Sequence, residues 1–186
     1  MKMEKSDEEI IERVLAGYKE DYGILIRRYQ RQVFNLMYRY SRTESDAADL
    51  SQDVFVRAFE KLDTFGTEQR FFPWLYTLAL NRARDWARKN RRKEASRILW
   101  PEQMVYPGRD GSGQEGRLQK REDLRRLQEA IARLPDRTRE ILLLRYHEEC
   151  SVRETSRVFG ISESAVKMRT SRGLRQLQEI MEKNNS

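Results

Sequence analysis

Residues 151–181, SVRETSRVFGISESAVKMRTSRGLRQLQEIM, decide the fold of the carboxy-terminal part of this chain. Ser151 and Glu154 stand at capping-box spacing, in which the serine oxygen takes one free amide and the glutamate returns to the amide of the cap itself, so a helix starts here. Gly160 can end that helix in the left-handed conformation, and Ser162 can cap a second helix reaching about Met181. A short helix, a glycine turn and a longer basic helix make the helix-turn-helix pattern. In the longer helix Val166, Leu174 and Leu177 can face inward. Ser164, Lys167, Met168, Arg169, Ser171, Arg172 and Arg175 are then left outside, a mixture of hydrogen-bond donors and small residues. Such a face can enter the major groove, where arginine and lysine read guanine edges, and it equally suits a solvated helix on a bundle.

Upstream, Leu124, Leu127, Ile131 and Leu134 recur at helical spacing before a break at Pro135. Asp136 is placed to cap the next helix, which carries Ile141, Leu142, Leu144 and Tyr146. Residues 96–120 contain Pro101, Pro107, Gly108, Gly111, Gly113 and Gly116 without sustained periodicity and read as a flexible linker. Before the linker, WLYTLALNRARDWARKNRRKEASR (residues 74–97) joins an aromatic helical segment to a basic run, Arg82 to Arg97, with eight Lys and Arg against two acids. Aromatic faces can stack on unpaired bases, each contact contributing roughly 1 to 3 kcal/mol, while arginines track the phosphates. Phe65, Phe71, Phe72, Trp74 and Tyr76 surround the turn DTFGTEQRFFPW. Most of these rings belong in a core, with Trp74 and Trp86 packed inward beside Leu78. Phe65 is the ring expected to stay exposed or to face a ligand.

Tyr22, Leu25, Ile26, Tyr29, Val33, Leu36, Met37 and Tyr40 make one amphipathic face. A second helix follows from about Glu44 to Lys61 with Ala47, Leu50, Val54, Ala58 and Leu62 inward, and a third runs from Pro73, a favourable first-turn position. On the second helix Asp46, Asp49, Asp53 and Glu60 lie away from the apolar side, with Gln52 beside them. This acidic stripe repels DNA. It is either a wet surface or a docking face for a partner bearing arginines. No strand-like alternation recurs, so the expected fold is all-α: two small helical domains, 1–95 and 121–186, joined by the linker 96–120.

The chain has 186 residues and a formal net charge of +7, which implies a polyanionic partner or merely a soluble surface. After the charged start, Met1 to Glu9, no apolar run is long enough for a signal peptide or a membrane span, so a cytoplasmic protein without membrane insertion is expected. The single cysteine, Cys150, excludes an internal disulfide, and the single histidine, His147, builds no zinc site with it unless many carboxylates converge. A semi-buried Cys150 beside a helix-end His147 is the plainer reading. No activated nucleophile, phosphate loop or metal ligand set stands out, so neither cofactor nor bond chemistry is expected. A stand-alone helix-turn-helix regulator would account for residues 122–181 but not for the acidic helix or the WLY segment. A non-catalytic RNA-binding or assembly protein would use the basic run alone.

The order DAADLSQDVFVRAFEKLDTF, FFPWLYTLALNRARDWARKNRR, a variable linker and LPDRTREILLLRYHEECSVRETSRVFGISESAVKMRTSRGLRQL resembles, over nearly the whole chain, a bacterial extracytoplasmic-function sigma factor. The resemblance implies sigma domains 2 and 4 on a tether, binding core RNA polymerase and promoter DNA. It implies that Asp46, Asp49, Gln52 and Asp53 dock on the β′ clamp helices, with the β flap as a further contact. By the same resemblance the loop from about Asp63 to Phe72 captures a base flipped from the −10 element, with Phe65 and Asn81 at the matching positions. Arg84, Arg88, Arg91 and Arg92 suit the adjoining phosphates. Ser164, Lys167, Met168, Ser171 and Arg172 fall at the −35-reading positions, Arg153 and Arg157 anchor the backbone, and an anti-sigma factor is the implied regulator. The sequence departs from the family at RTSRG, which replaces a bulky residue before Arg-Ala, and at Met168, where a small polar residue is frequent; both leave the −35 sequence open.

Overall fold

Every regular element among the described residues is helical, as the recurrent spacing of three and four requires. The computed structural model describes residues 5–66, 68–90 and 125–183. The chain divides into two units, Met1–Ser96 and Arg97–Ser186. The linker read at 96–120 lies outside the described residues, as do Arg91, Arg92 and Leu124.

The first unit contains α1 (Asp7–Leu15), α2 (Tyr22–Ser41), α3 (Glu44–Glu60) and α4 (Phe71–Asn90). The start of the chain is more than a charged segment: Ser6 and Glu9 form a capping box and α1 begins there. The same Ser-x-x-Glu spacing that locates the helix after Ser151 was available to find it. Between α2 and α3 the chain reverses through Arg42 in the left-handed region (φ 66°). Thr43 then accepts the Asp46 amide at 3.2 Å to start α3. Leu25, Leu36 and Met37 of α2 pack with Ala47, Val54 and Ala58 of α3 and with Phe71, Leu75 and Leu80 of α4, all buried. Burying each large side chain stabilises the unit by roughly 1.5 to 3 kcal/mol. Two polar links cross this core: the Tyr22 hydroxyl donates to the Phe55 carbonyl at 2.8 Å, and the buried Arg39 donates to the Tyr76 hydroxyl at 3.3 Å.

The second unit contains α5 (125–132), α6 (Asp136–Leu142) running into a π-helical turn (Leu143–His147), α7 (Val152–Phe159) and α8 (Glu163–Lys183). Asp136 does not cap α6. The Pro135 carbonyl accepts the first amides of that helix, from Thr138 at 2.9 Å and Arg139 at 3.0 Å, which makes proline the cap and leaves Asp136 in the first turn. Arg139 went unread. Its buried guanidinium donates to the carbonyls of Ile131 (3.0 Å), Ala132 (2.8 Å) and Leu134 (2.7 Å), closing the carboxyl end of α5. The capping box at Ser151, the left-handed Gly160 (φ 61°) and the Ser162 cap are as expected. Cys150 is fully buried rather than semi-buried, and His147 faces Glu148 at 3.7 Å.

Of the residues expected to turn α8 inward, Val166 is buried, Leu177 is half-buried and Leu174 is 41% exposed. Gly173 takes the inward place. A Cβ there would stand 2.6 Å from Thr138 Cγ2 and 3.1 Å from Leu142 Cδ1, so the absent side chain sets how closely α6 approaches α8. Gly173→Val should therefore destabilise this unit by about 1 to 3 kcal/mol through overpacking. An unchanged urea midpoint would show that α6 can shift to make room.

Candidate nucleic-acid and protein interfaces

On α3, Asp49, Gln52 and Asp53 are exposed and Asp46 is half-buried. Spacings of three, four and seven place the three aspartates on one stripe. The Asp46 carboxylate accepts the Thr43 hydroxyl at 2.8 Å, so part of its hydrogen-bonding capacity serves the helix start. Asp53 is met from α4: Arg82 donates to its Oδ2 through Nε at 3.0 Å and Nη2 at 2.7 Å. Beside this acidic face, between α2 and α3, opens a groove of about 770 Å³ lined by Tyr22, Ile26, Phe34, Gln52, Phe55 and Phe59. Gln52 belongs to both surfaces. Burial pushes the Tyr22 phenol up, well above its ordinary range, which keeps its hydroxyl a donor.

On α4, Asn81 and Arg88 are exposed and Arg84 is half-buried; with Trp74 they follow one stripe at spacings of seven, three and four. Arg88 pairs with Asp85 at 3.0 Å in water. Phe65 is not the outward ring. It is 7% exposed, held by the turn that brings its amide to the Leu62 carbonyl, and lies edge-on to Phe71 at 5.7 Å and to Trp74 at 5.5 Å. Trp74, Leu78 and Trp86, expected inward, are each half-buried. Trp74 therefore shares the Asn81 stripe while its ring covers Phe65, and its heptad spacing from Asn81 was the signal for this. Arg91 and Arg92, which continue the basic run, lie outside the described residues.

In the second unit Arg153, Arg157, Ser164, Lys167, Met168, Ser171 and Arg172 are all exposed. Helical geometry gathers the five α8 residues on the side opposite Val166 and Gly173. Among the described residues no group of His, Cys, Asp or Glu could hold a metal ion, and no helix is long and apolar enough to cross a membrane.

Two family models match this chain: sigma-70 region 2 over residues 25–93 and sigma-70 region 4 over residues 124–177. The chain is 28% identical to the ECF RNA polymerase sigma factor SigW of Bacillus subtilis, across 95% of this chain and 97% of that protein. It is 25% identical to the RNA polymerase sigma-H factor of Pseudomonas aeruginosa, across 98% and 97%. Two solved structures share its fold. CnrH in complex with the cytosolic domain of CnrY superposes with a TM-score of 0.66 at 24% identity, covering 96% of this chain and 98% of that one. The sigma factor RpoE of Bartonella quintana, solved with the anti-sigma factor NepR, gives 0.65 at 22% identity, covering 88% and 98%.

The Asp53–Arg82 pair is partly exposed on both sides, so a double-mutant cycle in urea should return a coupling of about 0.2 to 1 kcal/mol at low salt, shrinking as salt is added. A coupling of zero at low salt would leave both side chains free to meet other partners at no cost.

Proposed function

Because the chain belongs to the extracytoplasmic-function branch of the sigma-70 family, we propose that it binds core RNA polymerase and directs initiation at promoters bearing matched −10 and −35 elements. The observation that carries this reading is the pairing, within one unit, of an acidic face on α3 with an aromatic and basic stripe on α4. A nucleic-acid binder alone has no use for the first. Asp46, Asp49, Gln52 and Asp53 dock on the arginine-bearing β′ clamp helices, and the adjacent apolar groove receives their hydrophobic side chains. Trp74, Asn81, Arg84 and Arg88, continued by Arg91 and Arg92, take the melted −10 strand. Phe65 supports that site from below. Lys167, Met168, Ser171 and Arg172, with Ser164, read the −35 element in the major groove, while Arg153 and Arg157 hold its backbone.

The division of labour follows physically. Core polymerase holds DNA through charge without choosing a promoter; two weak reading sites joined on one chain become one strong composite site. Residues 1–95 and 121–186 carry those sites, residues 96–120 tether them, and the β flap holds the second. Melting costs stacking and pairing energy, and capture of an extruded base offsets part of it, which couples recognition to opening. The chain itself makes and breaks no bonds, and it works in the cytoplasm with the polymerase. An anti-sigma factor that covers the α3 face would hold it inactive by competing with core polymerase; the Bartonella sigma factor was solved bound to an anti-sigma factor.

Asp49→Lys combined with Asp53→Lys should abolish assembly with core polymerase without weakening binding of the chain to free DNA; undiminished assembly would remove α3 from the interface. Arg172→Ala should weaken −35 recognition by about 1 to 3 kcal/mol with assembly intact, if it makes a bidentate base contact. The direct test is transcription of a fragmented genomic library by core polymerase with and without the protein. New start sites sharing two upstream elements are expected. Nucleic-acid binding without new starts would favour a stand-alone regulator or an RNA-binding protein.

A further inference from the structure

We propose that Asp7 is a positioning residue for −10 recognition: it fixes Tyr29, and Tyr29 fixes the aromatic cluster that holds the base-capture loop. The inference rests on reading residues 63–72 as that loop, and it adds α1, a helix outside the −10 site, to the recognition machinery. Asp7 opens α1, and its side chain is only 13% exposed. Each carboxylate oxygen has a donor on α2: Arg28 Nη1 on Oδ1 and the Tyr29 hydroxyl on Oδ2. Arg28 is held in turn, because its Nη2 donates to the Lys5 carbonyl at 3.0 Å. Charge-assisted bonds of this kind are directional and stronger than neutral ones. Burial first, and the Asp7 hydrogen bond second, keep the Tyr29 hydroxyl protonated and donating.

What Tyr29 touches on its other side makes the bond consequential. Its ring stacks on Phe72 at 5.4 Å and tilts against Phe71 at 5.7 Å. Phe71 meets both Phe65 and Trp74, at 5.7 Å and 5.5 Å. The path from Asp7 to the loop thus runs through rings in contact, with Phe71 and Phe72 buried. A dense cluster transmits a displaced ring to its neighbours. A second tie seats the same helix: Arg13 of α1 hydrogen-bonds Asp21 and holds that carboxyl below its usual range. Loss of Asp7 therefore frees Tyr29 while α1 remains attached.

The test uses holoenzyme reconstituted with the full chain carrying Asp7→Ala, Tyr29→Phe or both. Opening is followed by 2-aminopurine fluorescence in the −10 element, on the preferred promoter and on one with the captured base substituted. Wild-type holoenzyme should favour the preferred base. Each single variant should assemble normally and lose that preference by roughly tenfold, the equivalent of one hydrogen bond to a charged group. The double variant should be no worse than Asp7→Ala alone, because that change already removes the bond to Tyr29 together with the Arg28 pair. Equal slowing on both promoters, with the preference intact, would reduce Asp7 to a structural anchor and overturn the inference. So would a preference that survives Tyr29→Phe. No base preference in the wild type would instead sink the base-capture reading, and the inference with it.

Discussion

Phe71 meets three other rings at once, and the geometry of the first unit depends on that contact. Tyr29 approaches it from α2, Phe65 from the loop and Trp74 from the next turn of α4, all with centroids between 5.5 and 5.7 Å. Tilted and edge-on pairs of this kind contribute about 0.5 to 1.5 kcal/mol each beyond the area they bury. Because the cluster sits where α4 begins, it sets the rotation of that helix and so aims Asn81 and Arg88 outward. In the second unit a buried cation does comparable work. Arg139 closes the end of α5 from the first turns of α6, which lets the chain turn sharply at Pro135 without leaving buried carbonyls unpaired.

Charge is segregated by helix in the first unit. The aspartates of α3 line one helix and the arginines of α4 another, and Arg82 reaches across to Asp53. Electrostatic complementarity of this kind governs orientation and partner choice more than affinity. In a chain with a net charge of +7, the acidic stripe of α3 runs against the overall balance. The groove beside Gln52 supplies the apolar contact that charge alone does not.

The RTSRG departure in α8 divides once the packing is known. Arg169 and Thr170 are half-buried, and Gly173 is buried against Thr138 and Leu142, so the glycine of this motif concerns how α6 seats on α8. Ser171 and Arg172 are exposed. Met168, at 49% exposure, takes no part in that packing.

Helix type, order and most boundaries were legible because they are local: capping boxes, a left-handed glycine and apolar spacing act within a few residues of themselves. The acidic stripe of α3 and the exposed polar face of α8 were legible for the same reason, since a helix converts spacing into a face. The family resemblance added the roles of those faces. Other features were decided by contacts between residues distant in sequence. Phe65 turned inward and Trp74 partly outward because both compete for the space around Phe71. Gly173 displaced Leu174 because of what α6 brings opposite it. Asp7 acquired partners twenty residues away, and Arg82 was drawn to Asp53 from the next helix. Periodicity assigns a side of a helix, but which ring fills a shared space and which charge is already answered depend on the neighbour that packing supplies.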